Sequence, residues 1–209
     1  MEEEAHIIQR NKLILSEGKD DCLFLERLLI KNNDIQIRSY NGKNNLTNDL
    51  NALKGVDGFE EVASILIFRD SDQSTHSAIQ SINSSLINTG LITIDLKPFE
   101  MSHQNNRDIG FVLFPGYDEN GELYTSGTLE HLCLSIFKKN ANINIIKSYI
   151  AEYQESNKKF KRPHKNELHT LFSFTDEYVG SKIGEVARYN GFDFNSSYLL
   201  PFIKMIEKM

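Results

Sequence analysis

Cysteine is scarce in this sequence, because its 209 residues include only two, Cys22 and Cys133. Two thiols cannot form a disulfide framework or a four-thiolate zinc site, and we expect both to be reduced and buried. Long apolar runs are missing as well, since none approaches the roughly 18 residues that span a membrane. The acidic start, Met1 to Glu4, lacks the apolar segment of a signal peptide. These absences favour a protein of the cytoplasm.

Positive charge is also in short supply. The chain carries 23 Lys and Arg residues against 29 Asp and Glu residues, which gives a formal net charge of −6. A cationic protein that coats nucleic acid is therefore excluded, because the overall field repels phosphate. The hydrophobic fraction of 40% and the charged fraction of 25% exclude collagen-like, coiled-coil and wholly disordered chains. Any contact with nucleic acid would have to depend on local chemistry.

Strand-like and helix-like segments alternate over the first half of the chain. The run Ala63 to Phe68 is continuously apolar, as expected for a strand buried on both faces, whereas Asp20 to Ile30 repeats its apolar residues at the helical period. This order predicts the α/β class, with a mainly parallel sheet and helices on both faces. Strands are predicted at 12–15, 35–39, 63–68 and 109–114, and helices at 20–30, 46–53, 75–86 and 128–137.

The remainder of the chain is predicted to be helical. The pattern from residue 144 onward has the helical period, with one break at Arg162 and Pro163, and the segment 198–209 is amphipathic. The sequence has no repeats and no low-complexity linker. We therefore predict one α/β core over residues 1–140 and a helical C-terminal extension over residues 141–209 that packs on it.

Acidic residues stand where predicted strands end or where a helix begins. Glu17 comes after the first strand and Asp21 four residues later, Asp70 and Asp72 follow the most apolar strand, and Glu130 opens the helix after the last strand. Because the carboxyl ends of parallel strands share one edge of a sheet, these side chains are expected to converge. Carboxylates that lie close together repel each other, and a divalent cation removes that penalty. All-oxygen ligands suit Mg²⁺ or Mn²⁺, and one or two such ions would serve phosphoryl transfer or phosphodiester hydrolysis.

A structural interpretation is open for each acidic group taken alone. Asp70 and Asp72 can form a turn or cap the next helix, and Asp20, Asp21 and Glu130 can complement a helix dipole. The combination of all the groups favours the metal site, whereas Asp20 is assigned only the structural role.

These motifs resemble the Toprim domain, which is shared by type IA and type II topoisomerases, bacterial primases, a recombination mediator and the OLD-family nucleases. The similarity to the nuclease branch is greater, because Glu17-Gly18 is followed by Asp21, then by the Asp70-x-Asp72 motif and by a later acid near a helix start at Glu130. The resemblance implies a Toprim-like Rossmannoid sheet. It also implies one ion near Glu17, Asp70 and Asp72 and a second near Asp21 or Glu130, with Glu17 as a ligand or general acid/base. Asp21 is shorter than the Glu that is more usual at its position.

The C-terminal part resembles a stand-alone Toprim-like family of prokaryotic proteins. The similarity lies in the segment Gly127 to Glu130, in Lys165 followed by a His169-containing helix, and in the motif Ile183-Gly184-Glu185. Together with the acidic motifs, the resemblance covers residues 12–206.

Three cationic residues are candidates for contact with a substrate phosphate. Lys43 belongs to a Gly-Lys pair after the second strand, and Arg162 and Lys165 belong to the basic run 158–165. Lys165 is the candidate for stabilising charge in the transition state, and His169 shares its helix face if that helix is continuous. The alternative for Lys43 is an exposed turn lysine, and for the run 158–165 it is a solvated basic face. The alternative for His169 is an ordinary packed histidine. The other histidines show no metal spacing.

The function predicted first is that of a metal-dependent nuclease acting on DNA or RNA, in prokaryotic phage defence or nucleic-acid processing. The alternative is a non-catalytic module that binds metal and a nucleotide or nucleic acid beside a partner protein, and a phosphatase is chemically allowed. A topoisomerase or primase is disfavoured, since the chain has no room for a strand gate and too few cysteines for a zinc module. No phosphate-binding P-loop is present, so any ATPase would be a separate polypeptide.

Overall fold

Five strands form one sheet in the computed structural model, which describes residues 7–30, 32–137, 143–156 and 163–209. The strand order is β2-β1-β3-β5-β4, and every neighbouring pair is parallel except β4 and β5. The strands are β1 (Lys12–Ser16), β2 (Ile35–Ser39), β3 (Ser64–Asp70), β4 (Met101–Gln104) and β5 (Arg107–Phe114).

Helices cover both faces of the sheet, and the predicted fold class is confirmed. The helices are α1 (Lys19–Leu28), α2 (Leu46–Leu53), α3 (Thr75–Asn88), α4 (Leu129–Ile136), α5 (Ile143–Ser156), α6 (Pro163–Ser173), α7 (Ile183–Arg188) and α8 (Leu200–Glu207). The part that follows β5 is helical, as expected, while the domain boundary at residue 140 stays a prediction. None of the helices in the described ranges is long and apolar enough to cross a bilayer.

The central strand β3 divides the core into two layers, because successive side chains on a strand point to opposite faces. Leu66 and Phe68 pack with residues of α1, α4 and the C-terminal helices. Ile65 and Ile67 pack with residues of α2 and α3. All four side chains are fully buried, and each contributes about 1.5–3 kcal/mol through removal from water. The same alternation continues to the end of β3 and places its last two residues on opposite faces.

One strand was not predicted, and one expectation about burial was wrong. The edge strand β4 was not predicted, because its sequence Met-Ser-His-Gln is short and polar. The feature of the sequence that indicates this hairpin is the pair Asn105-Asn106, whose φ angles of 51° and 63° form the tight turn into β5. Cys133 is buried as expected, but Cys22 is only partly buried, and its Sγ lies 3.1 Å from Ser16 Oγ.

Gly184 allows helices α1 and α7 to approach each other closely. It is buried near the start of α7, and a Cβ atom at this position would lie 2.6 Å from Leu23 Cβ and 2.5 Å from Leu23 Cδ1. We expect Gly184→Ala to lower the free energy of unfolding by about 1–3 kcal/mol, because the two helices would have to separate. Urea unfolding measures the change.

Gly55→Ala is the matched control. Its added Cβ would make only an ordinary contact of 3.6 Å with the Ala52 carbonyl, so its free energy of unfolding should stay within about 0.5 kcal/mol of the original. Equal stability of the Gly184→Ala and Gly55→Ala proteins would contradict the proposed need for glycine at the helix contact.

Candidate active site

A polar cleft of about 880 Å³ opens at the carboxyl edge of the sheet. Its walls come from the ends of β1 and β3, from α3, and from the first turns of α4 and α6. Six of the residues predicted from the sequence line this one cleft: Glu17, Lys43, Asp70, Asp72, Glu130 and Lys165. The convergence follows from the parallel topology, which brings the strand ends to a common edge.

Asp70 joins the sheet to α4. It is the last residue of β3, and its Oδ1 accepts a hydrogen bond of 2.8 Å from the backbone N–H of Leu129, the first residue of α4. The interaction satisfies one of the free N–H groups of the helix terminus. Burial raises the pKa of the Asp70 carboxyl well above its ordinary value, and the nearby Asp21 and Glu130 carboxyls raise it further. Asp70 is therefore both a structural acceptor and a carboxyl group short of positive partners.

Asp72 is held by its backbone. Its φ of 51° lies in the left-handed region, and its N–H and C=O both pair with Gly127 at 2.8 Å. Lys43 supplies the side-chain partner, with Nζ 2.8 Å from Asp72 Oδ2. The ion pair is half-exposed, so its contribution to stability is small.

Glu17 brings a partly unsatisfied carboxyl group to the cleft. Its Oε2 is buried and accepts no hydrogen bond from the described part of the chain. Burial raises the pKa of Glu17 and the charge of Asp72 adds to this, while the charges of Arg69 and Lys43 and a backbone hydrogen bond from Lys43 act in the opposite direction. A buried acceptor without a donor is costly, so this oxygen indicates a missing positive or hydrogen-bonding partner.

Asp21 lies one helical turn from Glu17, at the start of α1. Its Oδ2 accepts a hydrogen bond of 2.9 Å from the backbone N–H of Gly18, which is the helix-terminal role that the structural interpretation assigns to it. Burial raises the pKa of Asp21 to about 7, the Gly18 N–H opposes the rise, and Glu17 and Glu130 contribute to it. Asp21 does not line the cleft, but it interacts with the carboxyls that do.

Glu130 and Lys165 face each other across the contact between α4 and α6. Lys165 Nζ lies 3.9 Å from Glu130 Oε1, and the Glu130 side chain is only 16% exposed. Lys165 is 47% exposed and lines the cleft, so its ammonium group is accessible to an anionic ligand.

Two histidines of the cleft were not predicted. His131 and His164 both line it, and their ring centroids are 3.3 Å apart. His131 Nδ1 accepts a hydrogen bond of 3.2 Å from the Thr128 N–H, which leaves the proton of the neutral ring on Nε2. Burial lowers the pKa of His131 to about 4, and the neighbouring His164 lowers it as well. In the sequence, the one indication that these histidines belong to the site is that they adjoin the predicted residues Glu130 and Lys165.

Other predicted residues lie elsewhere. His169 lies on helix α6, which is continuous. Its ring packs edge-on against the ring of Phe172, with 5.7 Å between the ring centroids, and this contact agrees with an ordinary packed histidine. Arg162 and the basic residues before it lie outside the described residues, so their contact with phosphate stays a prediction.

The residues of the cleft fit a divalent cation in chemistry, although no ready-made ligand shell is present. Within the described ranges, no group of three or more His, Cys, Asp and Glu side chains is arranged so that it could hold a metal ion. Asp70 and Asp21 each direct one oxygen to a backbone N–H, and Asp72 directs one to Lys43. Carboxylate oxygens such as the orphaned Glu17 Oε2 are of the hard, anionic type that Mg²⁺ and Mn²⁺ prefer. The ligand set itself stays a prediction.

Comparison with known proteins gives a family for the chain. The family described as "Protein of unknown function (DUF3226)" matches residues 11–209. The chain belongs to this family. The matched residues of this DUF3226 protein include the whole sheet and the whole cleft.

Two further comparisons give little more. The chain is similar in structure to the C-terminal region of the OLD protein of Xanthomonas campestris pv. campestris, with a TM-score of 0.46 and 14% identity over 97% of this chain and 96% of that one. A search of curated proteins gives no match to the DUF3226 chain.

The raised pKa of Asp21 predicts a pH-dependent stability. Because its pKa is about 7 in the folded state and near 3.8 in the unfolded chain, the contribution of Asp21 to stability is fully present below about pH 4 and is lost as the pH rises towards 7. Asp21→Asn removes this loss. We expect the variant to exceed the original protein by on the order of 2 kcal/mol in unfolding free energy at pH 8 without divalent ions, and to match it near pH 4.

Urea unfolding across this pH range measures the difference. Asp20→Asn is the control, since it removes the same charge one residue earlier in the helix and should not gain stability at pH 8. A constant difference between the Asp21→Asn and original proteins from pH 4 to pH 8 would contradict the argument.

Proposed function

We propose that this protein is a metal-dependent phosphodiesterase that cleaves nucleic acid. The observation that carries the proposal is the buried Glu17 Oε2, which has no donor in the described ranges and lies among carboxyls whose charges raise the pKa of Glu17 and of Asp70. A divalent cation is the partner that would satisfy this oxygen and offset the repulsion together. The Toprim resemblance of the same residues supports the proposal.

The proposed ligands are the carboxylates at the sheet edge. Glu17, Asp70 and Asp72 would hold one Mg²⁺ or Mn²⁺ ion, and Asp21 or Glu130 would contribute to a second. Such ions polarise a phosphoryl oxygen and lower the pKa of bound water. The surrounding N–H groups and Lys43 fix the carboxylates in position before an ion binds.

Residues of the chain supply the rest of the chemistry. Where Glu17 does not bind the ion, it can instead accept a proton from the attacking water, because its carboxyl group lies in the cleft with Asp70 and Asp72. Lys165 and Lys43 can offset the charge of the pentacovalent phosphorus centre and the leaving oxygen. His131 can donate a hydrogen bond from Nε2 to a phosphate oxygen.

The proposed substrate is a DNA or RNA strand that is gripped at the cleft. The net charge of −6 gives weak attraction to nucleic acid away from the site. A partner such as a separate ATPase would add affinity, and a role in phage defence is proposed on the resemblance to the OLD-family nucleases.

The decisive experiment compares the original protein with Asp70→Asn. The original protein should cleave single- or double-stranded DNA or RNA when Mn²⁺ or Mg²⁺ is added, and Asp70→Asn should lose at least about 100-fold in rate, since the substitution removes a charged metal ligand. Mn²⁺ should also raise the melting temperature of the original protein but not that of Asp70→Asn. Asp108→Asn is the control, because Asp108 pairs with His103 on the sheet outside the cleft.

The result also separates the alternatives. Mn²⁺-dependent binding of nucleic acid without cleavage would replace the enzyme by the non-catalytic module. Turnover of mononucleotides or phosphate esters alone would replace it by a phosphatase. Equal cleavage by the original and Asp70→Asn proteins would exclude this cleft as the active site.

Lys165 tests the transition-state role. Removal of its ammonium group by Lys165→Ala should lower kcat by about 10–1,000-fold with a smaller change in KM, as expected for a charge that acts mainly in the transition state. Steady-state cleavage of a labelled oligonucleotide measures both constants. Lys204→Ala on α8 is the control for loss of a lysine, and a change in KM alone for Lys165→Ala would show simple substrate binding instead.

A further inference from the structure

We propose that the cleft contains a phosphate-binding subsite on its α3 side, built on Arg69, which holds a substrate phosphate next to the one that reacts. The proposal rests on the proposed function and adds to it how the substrate is positioned. Arg69 was not among the residues predicted from the sequence, and it lies on the opposite side of β3 from the carboxyl group of Asp70.

Arg69 is a buried cation with too few partners. The residue is 6% exposed, yet its guanidinium makes one hydrogen bond in the described chain, from Nη1 to Ser81 Oγ at 2.9 Å. Its Nε is buried and donates to nothing described. A guanidinium has five N–H donors, and burying a charge without a matching anion is strongly unfavourable. The missing partner is therefore an anion.

The anion has to come from the cleft. Arg69 lines it, and no carboxylate of the described ranges lies within 4 Å of the guanidinium. Ser77 and Ser81, one helical turn apart on α3, line the same wall, and Lys43 lines it from the β2–α2 connection. Two cations and two hydroxyls suit the tetrahedral oxygens of phosphate, and the planar fork of arginine matches two of them.

The simpler role, a counter-ion for Glu17, does not account for the contacts. The Arg69 charge lowers the pKa of Glu17, but the net shift of that pKa is upward, and Glu17 Oε2 has no donor among the residues that the structure describes. The guanidinium is fixed instead by Ser81 on the α3 side. Strand alternation explains this geometry, since Arg69 shares the α2/α3 face with Ile65 and Ile67.

The first experiment observes Arg69 directly, without metal or turnover. In EDTA, inorganic phosphate is titrated into the ¹⁵N-labelled protein, and the Arg69 Nε–H resonance is assigned by its loss in Arg69→Lys. We expect a saturable shift of this resonance. Absence of a saturable shift up to about 50 mM phosphate, a concentration at which even a millimolar site is filled, would overturn the proposal. Cleavage plays no part in this readout, so a failed nuclease assay leaves its outcome interpretable.

The second experiment uses variants. Arg69→Gln should weaken binding of a labelled oligonucleotide in Ca²⁺ by about tenfold or more, as expected for hydrogen bonds to a charged group. Ser81→Ala keeps Arg69 but removes the hydroxyl that accepts its hydrogen bond, so it should weaken binding by a smaller factor. This second variant keeps the proposal testable if Arg69→Gln does not fold. Arg38→Gln is the matched control, because Arg38 also has a buried, unpartnered Nη1 on the same sheet but lies outside the cleft.

The oligonucleotide arms identify the source of the phosphate. Strands with a 5′-phosphate, a 3′-phosphate or two hydroxyl ends, and a circular strand, are compared. If one terminal phosphate tightens binding and Arg69→Gln abolishes the gain, the subsite holds a strand end. If all four strands bind alike and lose affinity equally in Arg69→Gln, it holds an internal backbone phosphate. Equal affinity of the original and Arg69→Gln proteins for every strand would overturn the proposal.

Discussion

The repulsion among enclosed carboxyl groups is the constraint on which the cleft depends. Parallel strand order forces Glu17 and Asp70 to the same edge, and the helices that follow add Asp21 and Glu130. The chain offsets part of this repulsion with backbone N–H donors, which also fix where α1 and α4 begin. The buried core beneath the cleft offsets the unfavourable free energy of these carboxyl groups. Functional sites commonly combine a stable core with an unfavourable arrangement of charges.

The last two residues of β3 divide the chemistry of the cleft between its two walls. Asp70 accepts a hydrogen bond from α4, whereas Arg69 donates one to α3. Under the proposed function, these adjacent residues of opposite charge would act on different parts of one ligand. The ordinary alternation of a strand is enough to produce this separation.

The fold was predictable where burial is continuous along the sequence, as in β3, and the meeting of Glu17 with Asp70 followed from topology alone. The contacts of single atoms were not predictable. The free Oε2 of Glu17, the Ser81 anchor of Arg69 and the contact of His131 with the α6 histidine depend on how helices pack after the sheet has formed. Periodicity records which face of a helix is buried, and it carries no information about which helices then become neighbours.

The paired backbone bonds between Asp72 and Gly127 have a consequence for the entropy of ligand binding. They hold Asp72 at a φ of 51°, a conformation that an isolated chain visits rarely. The cost of ordering this segment is therefore met when the protein folds. A ligand that contacts Asp72 would not have to order this part of the backbone, so more of its interaction energy would be retained as affinity.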